Sequence, residues 1–260
     1  MTVKEIASAI EAFAPLPLQE DYDNAGLQVG FGDRHVNAVM LCLDVTEEVL
    51  EEAVRRKCEM IVSHHPLIFR GLKSLTGADE TQRIAIRALE AGVAIYSAHT
   101  NLDSTWNGVS HEMAHILDVK DIEVLEPKEG MPRAGLGVIG NITPTPKLEF
   151  LRRVKEKFNV RNLRYSAQSR ALVVKRVALC GGSGASLISL AKKAGADLYV
   201  TGDVKYHDFA TWGQEMIIAD IGHYESELCS MRIFSRIIRG KYPDLVVYFS
   251  EDQRNPIGTI

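Results

Sequence analysis

No stretch of this chain approaches the roughly 20 consecutive apolar residues that a membrane helix needs. The opening segment, MTVKEIASAIEAF, carries two acidic residues and no long apolar run, so it does not read as a signal peptide. Cysteine is sparse. Cys42, Cys58, Cys180 and Cys229 are scattered without any CxxC spacing, and Cys42 and Cys180 sit inside apolar strand-like runs, the usual place of a buried reduced thiol. That usage suits a reducing compartment, and the cytoplasm is the expected location. Neither sign of charge dominates: 30 Lys and Arg against 34 Asp and Glu leave a net charge of -4. Such a chain has no general attraction to phosphate backbones or anionic membranes, so neither nucleic acid nor a membrane is the expected partner. A GxSxG elbow is missing, which removes the support for a serine hydrolase.

What remains is an ordinary globular composition, 46% hydrophobic and 25% charged, over 260 residues, enough for one large domain or two smaller ones. Thr2 with Glu5 forms a capping-box pattern ahead of Ile6, Ile10 and Phe13 at helical spacing. The strand VNAVMLCLDV follows, then a helix opened by Thr46 with Glu47 and Glu48 in its first turn. The apolar strand CEMIVS runs into His64-His65-Pro66. A helix around TQRIAIRALEAG is stopped by Gly92, and the strand VAIYS leads into AHTNLD. Strands alternating with helices predict an α/β fold built on mainly parallel sheets covered on both faces.

Residues 126–170 hold Pro127, Pro132, Pro144 and Pro146 and are expected to connect a first lobe, 1–125, to a second, 171–260, with one compact unit built from both lobes as the alternative. Within the connector, AGLGVIG is a candidate strand and KLEFLRRVKEKF an amphipathic helix. The pattern then restarts with VKRVALC, GGSG, a helix from ASLISLAKKAG, DLYVT, GDVKYHD, EMIIAD and GHYESE. A helix through SMRIFSRIIRG and a last strand, DLVVYF, complete it. The halves echo each other. AVMLCLD parallels RVALCGG, MIVSHHP parallels LYVTGDVKYH, and AIYSAHTNLD parallels IIADIGHYESE. Cys42 to Val62 and Cys180 to Val200 are both 20 residues. A duplication is the simpler account, and it would turn the second and third strands of both halves toward one shared cleft.

In open parallel sheets ligands bind beyond the carboxyl ends of the strands, and there the polar clusters fall. His64 and His65 end the second strand, His99 and Asp103 follow the third, and His223 and Glu227 follow its counterpart. Neighbouring side chains on extended backbone point to opposite sides, so His64 and His65 are expected to serve different ions of a close pair. His223 and Glu227, four apart, share a face on a helical turn, and a glutamate there can bridge two ions. Singly, each residue reads as readily as a cap or a hydrogen-bonded loop residue. Together, three imidazoles and two carboxylates at strand ends point to two divalent ions, zinc, manganese, iron or cobalt rather than calcium. His99, Lys205 and His207 are candidates for acid–base work, and Asp23 and Asn24 for substrate contact. GGSG reads as a tight turn before it reads as a phosphate loop.

The stretches DNAGLQVG (23–30), SHHP (63–66), SAHTNLD (97–103), GGSG (181–184), TGDVKYHD (201–208) and DIGHYESE (220–227) resemble the NIF-three-like proteins, labelled GTP cyclohydrolase 1 type 2 homologues. The resemblance implies that His64, His65, Asp103, His223 and Glu227 ligate metal, with Glu227 bridging. It implies the compact form without an inserted domain, and a self-assembled homohexamer. Two functions compete: a metal-dependent hydrolase of a small nucleotide-like substrate, or a non-catalytic metal-binding protein in regulation or metal homeostasis.

Overall fold

Parallel strands buried on both faces carry the centre of each half, as their unbroken apolar runs require. The structure, a computed structural model, describes residues 1–258. Helix α1 (Val3–Phe13) is opened by the Thr2–Glu5 capping box. Strand β1 (Gly26–Val29) precedes β2 (Ala38–Cys42), all five of whose residues are buried. Helix α2 (Glu47–Arg55), capped by the Thr46 side chain, leads to β3 (Met60–Ser63). Helix α3 (Glu80–Ala91) is capped by Asp79 and ended by Gly92 in the left-handed conformation, and β4 (Ala94–Ser97) follows. The short helix α4 (Thr100–Ser104) carries the chain from one compact unit, 1–102, into a second, 103–229.

The second unit begins with α5 (Val109–Ile116), β5 (Lys120–Lys128) and the long β6 (Met131–Pro146). Helix α6 (Lys147–Lys157), β7 (Arg164–Tyr165) and β8 (Val173–Leu179) come next. They are followed by α7 (Ile188–Lys193), β9 (Leu198–Thr201), α8 (Tyr206–Trp212), β10 (Ile217–Asp220) and α9 (His223–Glu227). The chain then returns to the first unit with α10 (Ser230–Lys241) and β11 (Val246–Phe249).

The protein is therefore a mixed α/β fold with two sheets. The first has the order β1-β4-β3-β2-β11, parallel throughout except where β1 meets β4. The second has the order β5-β6-β8-β9-β10-β7, and only β8, β9 and β10 run parallel. Two details differ from the sequence expectation. Residues 126–170 are not an irregular connector: β6 pairs with both β5 and β8. Its prolines are accommodated because Pro127 lies on the edge strand β5, and Pro144 falls where the β6–β8 register shifts between Asn141 and Thr145. The segment DLVVYF, expected in the second lobe, is β11, and it pairs in parallel with β2 through Val247↔Val39 and Phe249↔Leu41. Among the described residues no helix is long and apolar enough to cross a membrane.

Candidate metal-binding residues

In the first unit the backbone bends at His64 and His65 as it leaves β3. This bend overturns the expectation that the two side chains diverge. Their ring centroids lie 5.2 Å apart, and the His99 ring stands 5.3 Å from that of His64 and 5.4 Å from that of His65. The bend is held by serines from neighbouring strands. Ser63 Oγ donates to the His65 carbonyl at 2.8 Å, and Ser97 Oγ donates to the same oxygen at 3.2 Å. Each ring is then oriented by its Nδ1. His64 Nδ1 donates to Ala98 O at 2.9 Å, His65 Nδ1 to Asp44 Oδ1 at 2.7 Å, and His99 Nδ1 to Asp23 Oδ1 at 2.8 Å. A carbonyl or carboxylate oxygen can only accept, so Nδ1 carries a proton and Nε2 is the nitrogen with which each ring could meet a cation. Histidines that ligate metals are held in this manner. His64, His65 and His99 each offer a ligand atom, and the three atoms lie within 4.8 Å of one another, so this group can hold a metal ion.

Asp23 is committed to that arrangement. Burial by itself raises its carboxyl pKa, but hydrogen bonds from His99 and Thr100 outweigh burial and hold it far below the usual carboxylate range. Its side chain is 0% exposed and is engaged by His99 and Thr100. Asn24 is likewise occupied, its Nδ2 donating to Ile68 O at 2.6 Å.

In the second unit, Gly222, with φ +88°, turns the chain from β10 into α9. His223 and Glu227 meet on one face of that helix, with Nε2 and Oε2 2.9 Å apart. On the other side of the ring, Nδ1 lies 2.8 Å from Asp203 Oδ2. The ring thus lies between two carboxylates, and a cation on its Nε2 side would also satisfy Glu227. Glu227 is buried. The GGSG turn makes room for it: a Cβ on Gly182 would lie 2.1 Å from Glu227 Oε1, and one on Gly181 would lie 3.5 Å from Glu227 Cγ. The turn's amides are already engaged. Gly182 N donates to Ser226 Oγ at 2.9 Å and Gly184 N to Thr201 Oγ1 at 3.0 Å, in keeping with a tight turn. Asp103, half-buried on α4, and Glu227 both act on Cys180, whose thiol is pushed up to about 12 first by burial and then by those two carboxylates.

All four cysteines are free and buried, and the groups that could hold a metal ion among the described residues draw only on imidazole and carboxylate. Lys205 precedes α8 with its amide donating to Asp208 at 3.1 Å, and the exposed His207 ring lies against Tyr206 at 5.4 Å. Asp44 and Asp203 are the residues that motif reading passed over. Each follows a parallel strand at its carboxyl end, the signal by which both were open to detection.

This is an α/β protein whose oriented imidazoles, beyond the carboxyl ends of parallel strands, form a group that could hold a metal ion. Comparison with known proteins narrows this. The family model Duf34/NIF3 (NGG1p interacting factor 3) matches residues 1–256, and the chain belongs to that family. A Clostridium perfringens relative named GTP cyclohydrolase 1 type 2 homolog is 36% identical over 231 residues, covering 87% of each chain. Drosophila melanogaster NIF3-like protein 1 is 29% identical, covering 98% of this chain and 88% of that one. A Staphylococcus aureus crystal structure matches with TM-score 0.90 at 25% identity, over 100% of this chain and 99% of that one. Reduced HcgD from Methanocaldococcus jannaschii matches with TM-score 0.82 at 27% identity, over 96% and 98%.

Proposed function

We propose that His64, His65, Asp103, His223 and Glu227 hold two divalent ions, with Glu227 bridging, and that the loaded protein hydrolyses a small nucleotide-like substrate. The observation that carries the reading is the treatment of the histidines. Each of His64, His65, His99 and His223 gives its Nδ1 to a carbonyl or carboxylate, so Nε2 is the donor atom each offers. Imidazole with carboxylate suits zinc, manganese, iron or cobalt. Bound divalent ions supply Lewis acidity, acidifying water and neutralising negative charge on a substrate. The chain's own part is to fix the donors: Asp44 and Asp203 set the planes of His65 and His223, Asp23 sets His99, and the Gly181–Gly182 turn leaves Glu227 its place. The relatives' name points to GTP as the first substrate to try.

The test is elemental analysis of purified Glu227→Ala beside Glu225→Ala. The first should lose most of its metal and the second should keep it. Equal metal in Glu227→Ala and the parent would remove the assignment. A nucleotide and phosphoester screen on the same samples decides between enzyme and metal-binding protein, since full loading without turnover favours the latter.

A further inference from the structure

Two large aromatic rings stand in solvent beside the histidine group of the first unit. Tyr22 is 65% exposed and Phe69 44%. Their centroids are 6.4 Å apart at 57°, and the Phe69 ring lies 6.2 Å from that of His99 at 79°. The two loops that carry them are stitched together. Besides the Asn24–Ile68 bond, Gln28 Nε2 donates to Asn24 O at 2.6 Å, and Ile68 N donates to Gln28 Oε1 at 3.1 Å. One glutamine side chain thus serves both loops, and the rings are held in place before any ligand arrives. The Tyr22 loop carries Glu20, Asp21 and Asp23, whereas the charge of the Phe69 loop has one sign. Residues 64–78 contain no Asp or Glu, while Arg70, directly after Phe69, and Lys73 are both exposed.

Exposed aromatic faces stack on flat rings of any sequence or substitution, and preorganisation lowers the entropy cost of doing so. We propose that Tyr22 and Phe69 form a stacking wall that receives the planar heterocycle of an anionic substrate, with Arg70 and Lys73 supplying positive charge for its phosphate. The inference deepens the nucleotide reading above and rests on it. It assigns recognition of the base to residues that ligate nothing, and leaves His64, His65 and His99 facing the part of the substrate that reacts.

The experiment is isothermal titration of the metal-loaded protein with guanosine 5′-monophosphate and with ribose 5-phosphate, which lacks the base. The parent should prefer the nucleotide by at least about 10-fold, and Tyr22→Ala/Phe69→Ala should lose most of that preference, as expected for removal of a stacked base. Phe69→Trp should keep the preference, and Phe69→Leu, apolar but without a ring face, should weaken it. The inference is overturned if the parent shows no preference, if the double variant retains it, or if the Leu and Trp variants behave alike. Elemental analysis of the same samples reads the metal centre separately. A parent that holds metal without preferring the nucleotide loses the wall alone; one that prefers it without holding metal loses the metal centre alone.

Discussion

Gly182→Ala separates two costs that a glycine can hide. Gly182 has φ +61°, where an L-residue is strained by roughly 1–2 kcal/mol. Its added Cβ would also stand 2.1 Å from Glu227 Oε1 and 3.1 Å from Glu227 Cδ. A contact of about 3 Å is the least that Cβ atoms tolerate, so the carboxylate must withdraw by about 1 Å, an overpacking cost of roughly 1–3 kcal/mol. Gly195 is the matched control: it has φ +80°, and a Cβ there would meet nothing within 4 Å. At about 2–4 °C per kcal/mol for a chain of this size, Gly195→Ala should lower the melting temperature by roughly 2–8 °C. Gly182→Ala should lower it by several degrees more. The melts are run on metal-free protein, because bound metal would add its own stabilisation. Chelator competition then reads the second consequence. Displacing one donor by about 1 Å should weaken zinc or manganese binding at least about 10-fold in Gly182→Ala and leave Gly195→Ala unchanged. Equal melting temperatures and equal metal affinities in the two variants would refute the close fit of Glu227 against the turn.

The orienting carboxylates offer another handle: Asp44→Ala and Asp203→Ala should each cost about 10- to 100-fold in metal affinity by chelator competition, and undiminished affinity in both would deny them that role. His111, buried beside Trp106, has its pKa lowered to about 4, first by burial and then by His115 and Arg133. The folded protein therefore holds this ring neutral while the unfolded chain protonates it near its ordinary value of about 6.5, so stability present above pH 6.5 drains away as the pH falls, by about 3 kcal/mol at pH 4. Denaturant titrations of His111→Phe should show a shallower loss over that interval, and an identical pH profile would exclude His111 as the source. Light scattering is expected to return a mass well above the 28.8 kDa of one chain, and a monomer at micromolar concentration would refute self-assembly.

The helix starts were legible because their signals are local: Thr2 with Glu5 and Thr46 cap α1 and α2 within three residues of the groups they satisfy. The parallel strands were legible because burial on two faces leaves no polar alternation in β2, β3, β4, β9 or β10. Strand β6 was harder, since prolines argue against strands until one knows which positions lie at an edge or a register shift. The place of β11 depends on pairing with β2, a partner so distant in sequence that no local pattern encodes it. At the candidate site the donors stood out by type, but their orientation did not. The bend at His64 and His65 is fixed by Ser63 and Ser97, which sit on separate strands, and the hold on His65 comes from Asp44, 21 residues away.

The return of α10 and β11 to the first sheet also has a consequence for biosynthesis. On a ribosome nearly all of the second unit emerges as one stretch, Asp103–Cys229, and can begin to close around its own core as soon as it clears the exit tunnel. The first unit begins earlier and finishes later. Its strand β2 keeps an open edge until β11 is made about 200 residues afterwards. A nascent chain therefore presents an unsatisfied ladder of amides and carbonyls through most of its elongation, the kind of surface that chaperones shield and that truncated fragments aggregate through. Genetic truncation just before Val246 removes residues 246–260, with β11 the one strand among them, and it should leave that ladder permanently bare.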